Sequence, residues 1–379
     1  MNFEFTEEQV AFRDMAANFA QNEIAPHAAK WDKERHFPRD VLENAAAHGM
    51  AGLYVKEEFG GSGLTRLDAA IVFEELAKAC PSTAAYMSIH NMVAWMIDSF
   101  GGDEQRKKFL PDLTSMKSVA SYCLTEPDAG SDAASLTTKA TLDGDFYYIN
   151  GSKAFISGAG ASDIYLVMVR TGGAGSGGIS CIAIDKDTKG LSFGPQEKKL
   201  GWHSQPTAAV FFEDCKVPKQ NLIGNEGDGF KIAMAGLDGG RLNVGACSLG
   251  GAQACLDMAI EYLKGRTQFG KPLASFQALQ FRLADMATEL EAARLLLYKA
   301  AALVQVKSPD ATATAAMAKR MATDVGFDVV NRALQLHGGY GYLEDFPIER
   351  YLRDLRVHQI LEGTNEIMRL IIARELLKD

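Results

Sequence analysis

Three textures follow one another along the chain. Up to about residue 118, apolar positions recur at the three-to-four spacing of amphipathic helices. Thr6 with Gln9 forms a capping-box pair and Phe5 with Val10 the matching hydrophobic staple, so a helix is predicted to start at Glu7; Pro26 limits it. A second helix is predicted from Arg39, after Pro38, to Gly49. Gly60-Gly61-Ser62-Gly63 reads as a loop. Helical periodicity resumes over 67–79 and 82–100 and closes at Gly101-Gly102.

Between about 119 and 228 the pattern shortens to β-rich runs at 146–149, 164–169, 179–184 and 209–212. Asp143-Gly144, Asn150-Gly151 and the 171–178 loop separate them. No helix-length segment lies between these runs, which predicts a small antiparallel barrel or sandwich rather than a βαβ sheet. From about 229, three long amphipathic stretches (229–264, 275–306 and 311–336) are joined by short loops and predict an antiparallel bundle. A short helix near 346–356 and a last one after Thr364 follow. The predicted class is α+β, with an α-helical unit at 1–118, a β unit at 119–228 and a helical bundle at 229–379.

Composition narrows the function classes. The 379 residues carry 39 Lys+Arg against 48 Asp+Glu, a net charge of −9, with 47% apolar residues. A core of useful size follows, and disorder does not. The acidic balance argues against non-specific nucleic-acid binding, and no apolar run approaches the length of a membrane span. The acidic start fits neither a signal nor a transit peptide. Six scattered cysteines without a C-x-x-C pair fit a reducing compartment and argue against a cysteine–zinc site. A bacterial cytoplasm, or the mitochondrial matrix for a mature eukaryotic form, is the expected location. No cluster of metal ligands is visible.

Several segments carry chemistry. LTEPDAGSD (124–132) is dense in hydroxyls, carboxylates and glycine, so its backbone N–H groups can cradle a polar ligand or simply link two units. QLHGGYGY (335–342) ends a helix with two glycines, as a C-cap or as a place of close ligand approach. In ILEGTNEI (360–367), Glu362 follows apolar residues and precedes a helix start; such surroundings raise a carboxylate toward the range of a useful base, though a solvated loop glutamate has the same pattern. DGGR (238–241), RTQFG (266–270) and SFQ (275–277) complete the set, and Arg266 could pair with a phosphate.

Together and in this order, these segments resemble the acyl-CoA dehydrogenase family over the whole chain. The resemblance implies an N-terminal helical domain, a middle β domain and a C-terminal four-helix bundle, with FAD between the last two. Tyr122, Cys123, Leu124, Thr125, Ser131, Phe155, Ile156 and Ser157 would contact the flavin and its ribityl chain. Many members carry Trp where this chain has Phe155. Arg266, Phe269, Gln277, Gln335, Leu336, His337, Gly338 and Gly339 resemble residues that reach the FAD of a neighbouring subunit, which implies a homotetramer. Thr364, Asn365 and Glu366 would complete the cofactor site. Ser131, Asp238, Gly239, Gly240, Arg241, Gly363 and Arg374 match positions that hold the acyl-CoA thioester, and Glu362 matches the catalytic base. Some members place the base immediately before the arginine of the DGGR segment, where this chain has Gly240.

The implied reaction is α,β-dehydrogenation. The Glu362 N–H polarises the thioester carbonyl, Glu362 removes the α-proton, and the β-hydrogen passes to the flavin as hydride. An electron-transfer flavoprotein then takes the electrons. NGSKAFISGAG (150–160), LGWHSQPT (200–207) and VHQILEG (357–363) are most similar to members acting on isobutyryl-CoA. Gly239 and Gly240 would border the acyl group and leave lateral room for an α-branch. Straight-chain butyryl-CoA and 2-methylbutyryl-CoA are the alternative substrates. A flavin oxidase and a silent acyl-CoA-binding scaffold are the rival functions, and retention of Glu362 argues against the scaffold.

Overall fold

The computed structural model describes residues 4–378. Helix α1 (Glu7–Phe19) opens with the capping box: Thr6 Oγ1 accepts from the Gln9 N–H, and Gln9 Oε1 accepts from the Thr6 N–H. A π-turn, Ala20–Ile24, extends it toward Pro26. Five helices follow: α2 (Ala28–Glu34), α3 (Arg39–Ala47), α4 (Arg66–Ala79), α5 (Pro81–Phe100) and α6 (Asp103–Thr114). Neither α2 nor α6 was among the predicted helices. The first is barely two turns long, and the second is strongly polar with Pro111 inside it, so neither carries a clear apolar stripe.

The β region contains β1 (Ala120–Cys123), β2 (Lys139–Asp143), β3 (Phe146–Ser157), β4 (Ile164–Arg170), β5 (Ile179–Asp185), β6 (Leu191–Phe193), β7 (Thr207–Pro218) and β8 (Leu222–Ile223). Their order is β6-β7-β3-β2-β4-β5-β8, with β1 beside β4. The sheet is therefore mixed and not antiparallel throughout. Ala120 to Cys123 pair in parallel with Ile164 to Val167, and Lys139 meets Arg170 in parallel. Parallel pairing needs a long return path. Here the 124–163 segment supplies it, as a loop plus the β2–β3 hairpin instead of a helix. Both faces of β4 are covered. Leu166 and Met168 pack with residues of α5 and α6, whereas Tyr165, Val167 and Val169 face the β interior, which accounts for its unbroken apolar run.

The C-terminal part begins with α7 (Gly229–Gly265), followed by a tight hairpin of β9 (Thr267–Gln268) and β10 (Lys271–Pro272). Helices α8 (Gln277–Gln305), α9 (Ala311–His337), α10 (Ile348–Arg356) and α11 (Asn365–Leu376) follow. Helices α7, α8 and α9 pack together, with α11 as the fourth member against α9 and α4 laid along α7. Small residues permit the close crossing: a Cβ on Gly250 would stand 2.9 Å from the Glu74 carbonyl carbon. Among the described residues no helix is long and apolar enough to cross a membrane. No group of three His, Cys, Asp or Glu is placed to hold a metal ion among them, and all six cysteines are free and buried.

Candidate active site

Glu362 lies between α10 and α11, after the short turn Val357–Gln359. It and Gly363 take consecutive left-handed conformations, φ 54° and 88°. This costs little for glycine and is unusual for glutamate. Thr364 then caps α11 by accepting from the Ile367 N–H at 3.3 Å. The residue as a whole is half-buried, yet its Oε2 is out of reach of solvent and has no hydrogen-bond partner among the described residues. Burial pushes the Glu362 carboxyl up to about 7, with the Lys319 and Arg241 cations pulling the other way. Gly240 faces this carboxylate. A Cβ there would stand 2.9 Å from Glu362 Cδ, nearer still to Oε2, and 3.0 Å from Met92 Sδ. The side-chain space of position 240 is thus taken, which corrects the expectation of lateral room beside it.

The opposite wall comes from the sheet. Glu126 pairs with Lys153 at 2.8 Å, both buried. It also accepts from the Thr137 N–H and hydroxyl and from the Thr138 N–H at 2.7–2.9 Å. Burial alone would raise the Glu126 carboxyl, but the lysine and these donors outweigh it and hold it at about 2. Lys153 also donates to the Leu124 carbonyl at 3.1 Å, so the 124–126 loop is pinned across β3. Two residues on, the β3–β7 register shifts. Phe155 there has φ 59° and is 68% exposed. A bulky aromatic held in that conformation is a strained outlier of the kind that gathers at binding sites.

Two adjoining cavities, of about 730 and about 650 Å³, meet at Thr125, Ser131, Phe155, Ser157, Trp202 and Glu362. Tyr122, Leu124, Ile156, Arg241 and Arg374 line the first, and Thr364 the second; Gly363 borders both. Among the described residues the buried Tyr122 hydroxyl and Trp202 Nε1 have no partner, and burial raises the tyrosine's pKa. An exposed aromatic face beside orphaned donors fits a flat, polar ring system such as the expected FAD. Arg241 is buried and bound to Asp238 at 2.6 Å, and Asp238 also accepts from the Thr312 hydroxyl at 3.0 Å. Arg374, exposed near the end of α11, places a cation at the mouth of the first cavity.

A second group of expected residues lies apart. Arg266 and Gln335–Gly339 line a shallow concavity of about 390 Å³ that shares no residue with the two cavities at Glu362. His337 stacks on Tyr262, ring centroids 4.3 Å apart. A Cβ on Gly338 or Gly339 would meet nothing within 4 Å, so this stretch of backbone is open to an outside partner. Phe269 is 92% exposed at the hairpin tip with φ 52°, and Gln277 is exposed at the start of α8.

Like Phe269, Gln277 and Gly240, five further expected residues do not line any of these spaces. The Cys123 side chain is buried in the β core. Asp238 is occupied by Arg241. Gly239 abuts Arg66, whose Cζ would be 2.8 Å from an added Cβ. Asn365 is buried beneath the Glu362 turn, and exposed Glu366 pairs with Arg369 at 3.4 Å. Conversely, Met92, Trp202 and Lys319 were not singled out. For Lys319 a signal existed: at helical spacing it falls among Ala315, Ala318, Ala322 and Gly326, on the buried face of an alanine-rich helix.

Comparison with known proteins bears on the same three parts. Models of the acyl-CoA dehydrogenase N-terminal, middle and C-terminal domains match residues 6–117, 121–215 and 227–377. A mitochondrial isobutyryl-CoA dehydrogenase from Dictyostelium discoideum is 61% identical over 375 residues, 99% of this chain and 90% of that relative. Butyryl-CoA dehydrogenase from Megasphaera elsdenii superposes with a TM-score of 0.97 at 41% identity, covering both chains in full. A chain solved in work on the electron transferring flavoprotein of Acidaminococcus fermentans superposes at 0.98 and 44%, again in full. With its three domain models matched in order along nearly its whole length, the chain belongs to the acyl-CoA dehydrogenase family.

Proposed function

We propose that the enzyme dehydrogenates a short α-branched acyl-CoA, isobutyryl-CoA above others, with Glu362 as the base. The observation that carries the reaction is the Glu362 carboxylate where two cavities meet: its Oε2 is shielded from water with no partner among the described residues, and burial pushes the carboxyl up to about 7. That is the state of a group able to accept a proton from carbon near neutral pH. The acyl group is assigned from the 61% identical D. discoideum relative. Met92, buried beside the base, favours a short chain.

Each residue then has a task. Among the described residues the Glu362 N–H has no backbone hydrogen-bond partner and is free to donate to the thioester carbonyl, stabilising the enolate that develops as the α-proton leaves. That proton goes to the Glu362 carboxylate. Phe155, Tyr122, Thr125 and Ser157 would hold the flavin, and FAD bound there would supply the acceptor for the β-hydrogen, taken as hydride. Arg374 and Ser131 meet the CoA portion at the cavity mouth. In the family's tetramer, the Arg266 and Gln335–Gly339 surface reaches a neighbouring subunit's FAD. An electron-transfer flavoprotein takes the electrons onward. We place the enzyme in a mitochondrial matrix or a bacterial cytoplasm.

The test is kcat/KM over straight and branched acyl-CoAs from four to eight carbons with one electron acceptor. Isobutyryl-CoA should be the best substrate. Butyryl- and 2-methylbutyryl-CoA should follow within about 10- to 200-fold, the discrimination one methylene allows. A maximum at hexanoyl- or octanoyl-CoA refutes the assignment of the acyl group.

A further inference from the structure

Helix α9 carries a lysine with no exposed surface at all. Lys319 sits among alanines of the bundle core, where an ammonium group is costly to bury. Its Nζ donates to the Gly363 carbonyl and to Asn365 Oδ1, both at 2.9 Å. Asn365 is fixed in turn, donating to Thr323 Oγ1 at 2.9 Å and to Asp324 Oδ1 at 2.6 Å. Residues 319, 323 and 324 thus form a polar stripe one turn long beneath the turn that begins at Glu362, and Asp324 also accepts from Gln359 Nε2 at 2.8 Å just before it. That turn needs support, because Glu362 holds a left-handed backbone that an L-residue seldom adopts.

The charge bears on the same carboxylate. Several groups face Glu362: Arg241 from α7, Lys319 from α9, and the neutral Tyr54, Tyr122 and Cys247 around it. Asp324 and Glu366 act on Lys319 from further away. The two cations are not equivalent. Arg241 is already paired with Asp238 at 2.6 Å, whereas Lys319 bonds only neutral oxygens among the described residues. Its charge is therefore the less compensated of the two, and it ranks first among the groups that favour ionised Glu362.

We propose that Lys319 is the positioning residue for the base, fixing the Glu362–Gly363 turn through its hydrogen bonds and keeping Glu362 ionised through its charge. This rests on Glu362 being the base. Without the lysine, burial acts on the carboxylate less opposed, and the base stays protonated to higher pH.

The experiment uses the FAD-loaded enzyme and two readouts. One is the titration midpoint of the Glu362 carboxyl by difference infrared spectroscopy, with the band assigned by its loss in Glu362→Gln. The other is the acid limb of the kcat/KM–pH profile. Lys319→Gln, which can still donate one hydrogen bond, should raise both by about 1 pH unit or more, the size of effect a nearby opposite charge exerts. Activity at pH 7 should fall about fivefold or more and recover in part as pH rises. Lys319→Met should shift the midpoint the same way and serves if glutamine prevents folding. Lys319→Arg should retain the wild-type midpoint. A midpoint and acid limb unmoved in Lys319→Gln or Lys319→Met overturn the inference, even if melting temperature and overall rate fall. Near-normal flavin bleaching by Glu362→Gln would instead overturn the base assignment beneath it.

Discussion

Gly240→Ala adds one methyl group where the base already stands. The new Cβ would lie 2.9 Å from Glu362 Cδ, and ordinary contact begins at 3.4 Å, with Oε2 nearer than Cδ. Met92 Sδ at 3.0 Å closes the other side, so the carboxylate must retreat by roughly 1 Å. A displacement of that size costs about 10²-fold in rate, or about 2.7 kcal/mol of barrier. Stability should change far less. Alanine gains up to about 1 kcal/mol of helix propensity over glycine, against about 1–3 kcal/mol for overpacking. The assay is kcat/KM with isobutyryl-CoA beside FAD content and thermal melting, with Gly239→Ala as the control. At position 239 the added methyl meets the buried guanidinium of Arg66, which lies over the Tyr54 and Trp95 rings, and not the base. Folded, FAD-loaded Gly240→Ala with activity within threefold of wild type would refute the claim that Gly240 is small because the base occupies its space.

Arg266→Ala should weaken FAD retention and lower the temperature at which the oligomer dissociates, because ligand and assembly are linked when the site spans two subunits; calorimetry with and without added FAD measures both, and a fully FAD-occupied monomer would refute the link. Glu126→Gln leaves Lys153 buried without its partner and should cost about 3–5 kcal/mol, read as a lower denaturant midpoint at pH 7. The sign of the pH effect follows from a carboxyl held at about 2 against an ordinary 4.5: its contribution is complete above about pH 4.5 and is lost as pH falls toward 2. The mutant should lose less stability across that window than the wild type.

The chain's long, strongly periodic segments declared themselves: α4, α5, α7, α8 and α9 lie close to where apolar spacing put them. The short or polar elements did not. Helix α6 hides behind charged residues and an internal proline, and β1 is only four residues long. Missing β1 had consequences. Its alternation sends Tyr122 toward the cavity and Cys123 into the core, and its parallel pairing with β4 depends on a return path that local pattern does not encode. Glu362 was legible because apolar neighbours, glycine and a helix cap flank it in sequence. For Lys319 the spacing carries its burial but not its role, since that comes from contact with a turn more than forty residues later. At Gly240 the sequence shows only that no side chain is present to act as a base. The missing side chain matters because another residue's carboxylate fills its place.

The central claim is that Glu362 takes the α-proton, and one measurement addresses it directly. Wild-type and Glu362→Gln proteins, both loaded with FAD, are mixed anaerobically with isobutyryl-CoA and the flavin's visible absorbance is followed in a single turnover. The substitution preserves shape and removes the proton acceptor. The account predicts rapid bleaching of the wild type and bleaching slower by about 10²–10⁴ in the mutant, with FAD content and acyl-CoA binding retained. A Glu362→Gln protein that bleaches at a rate near wild type would contradict it.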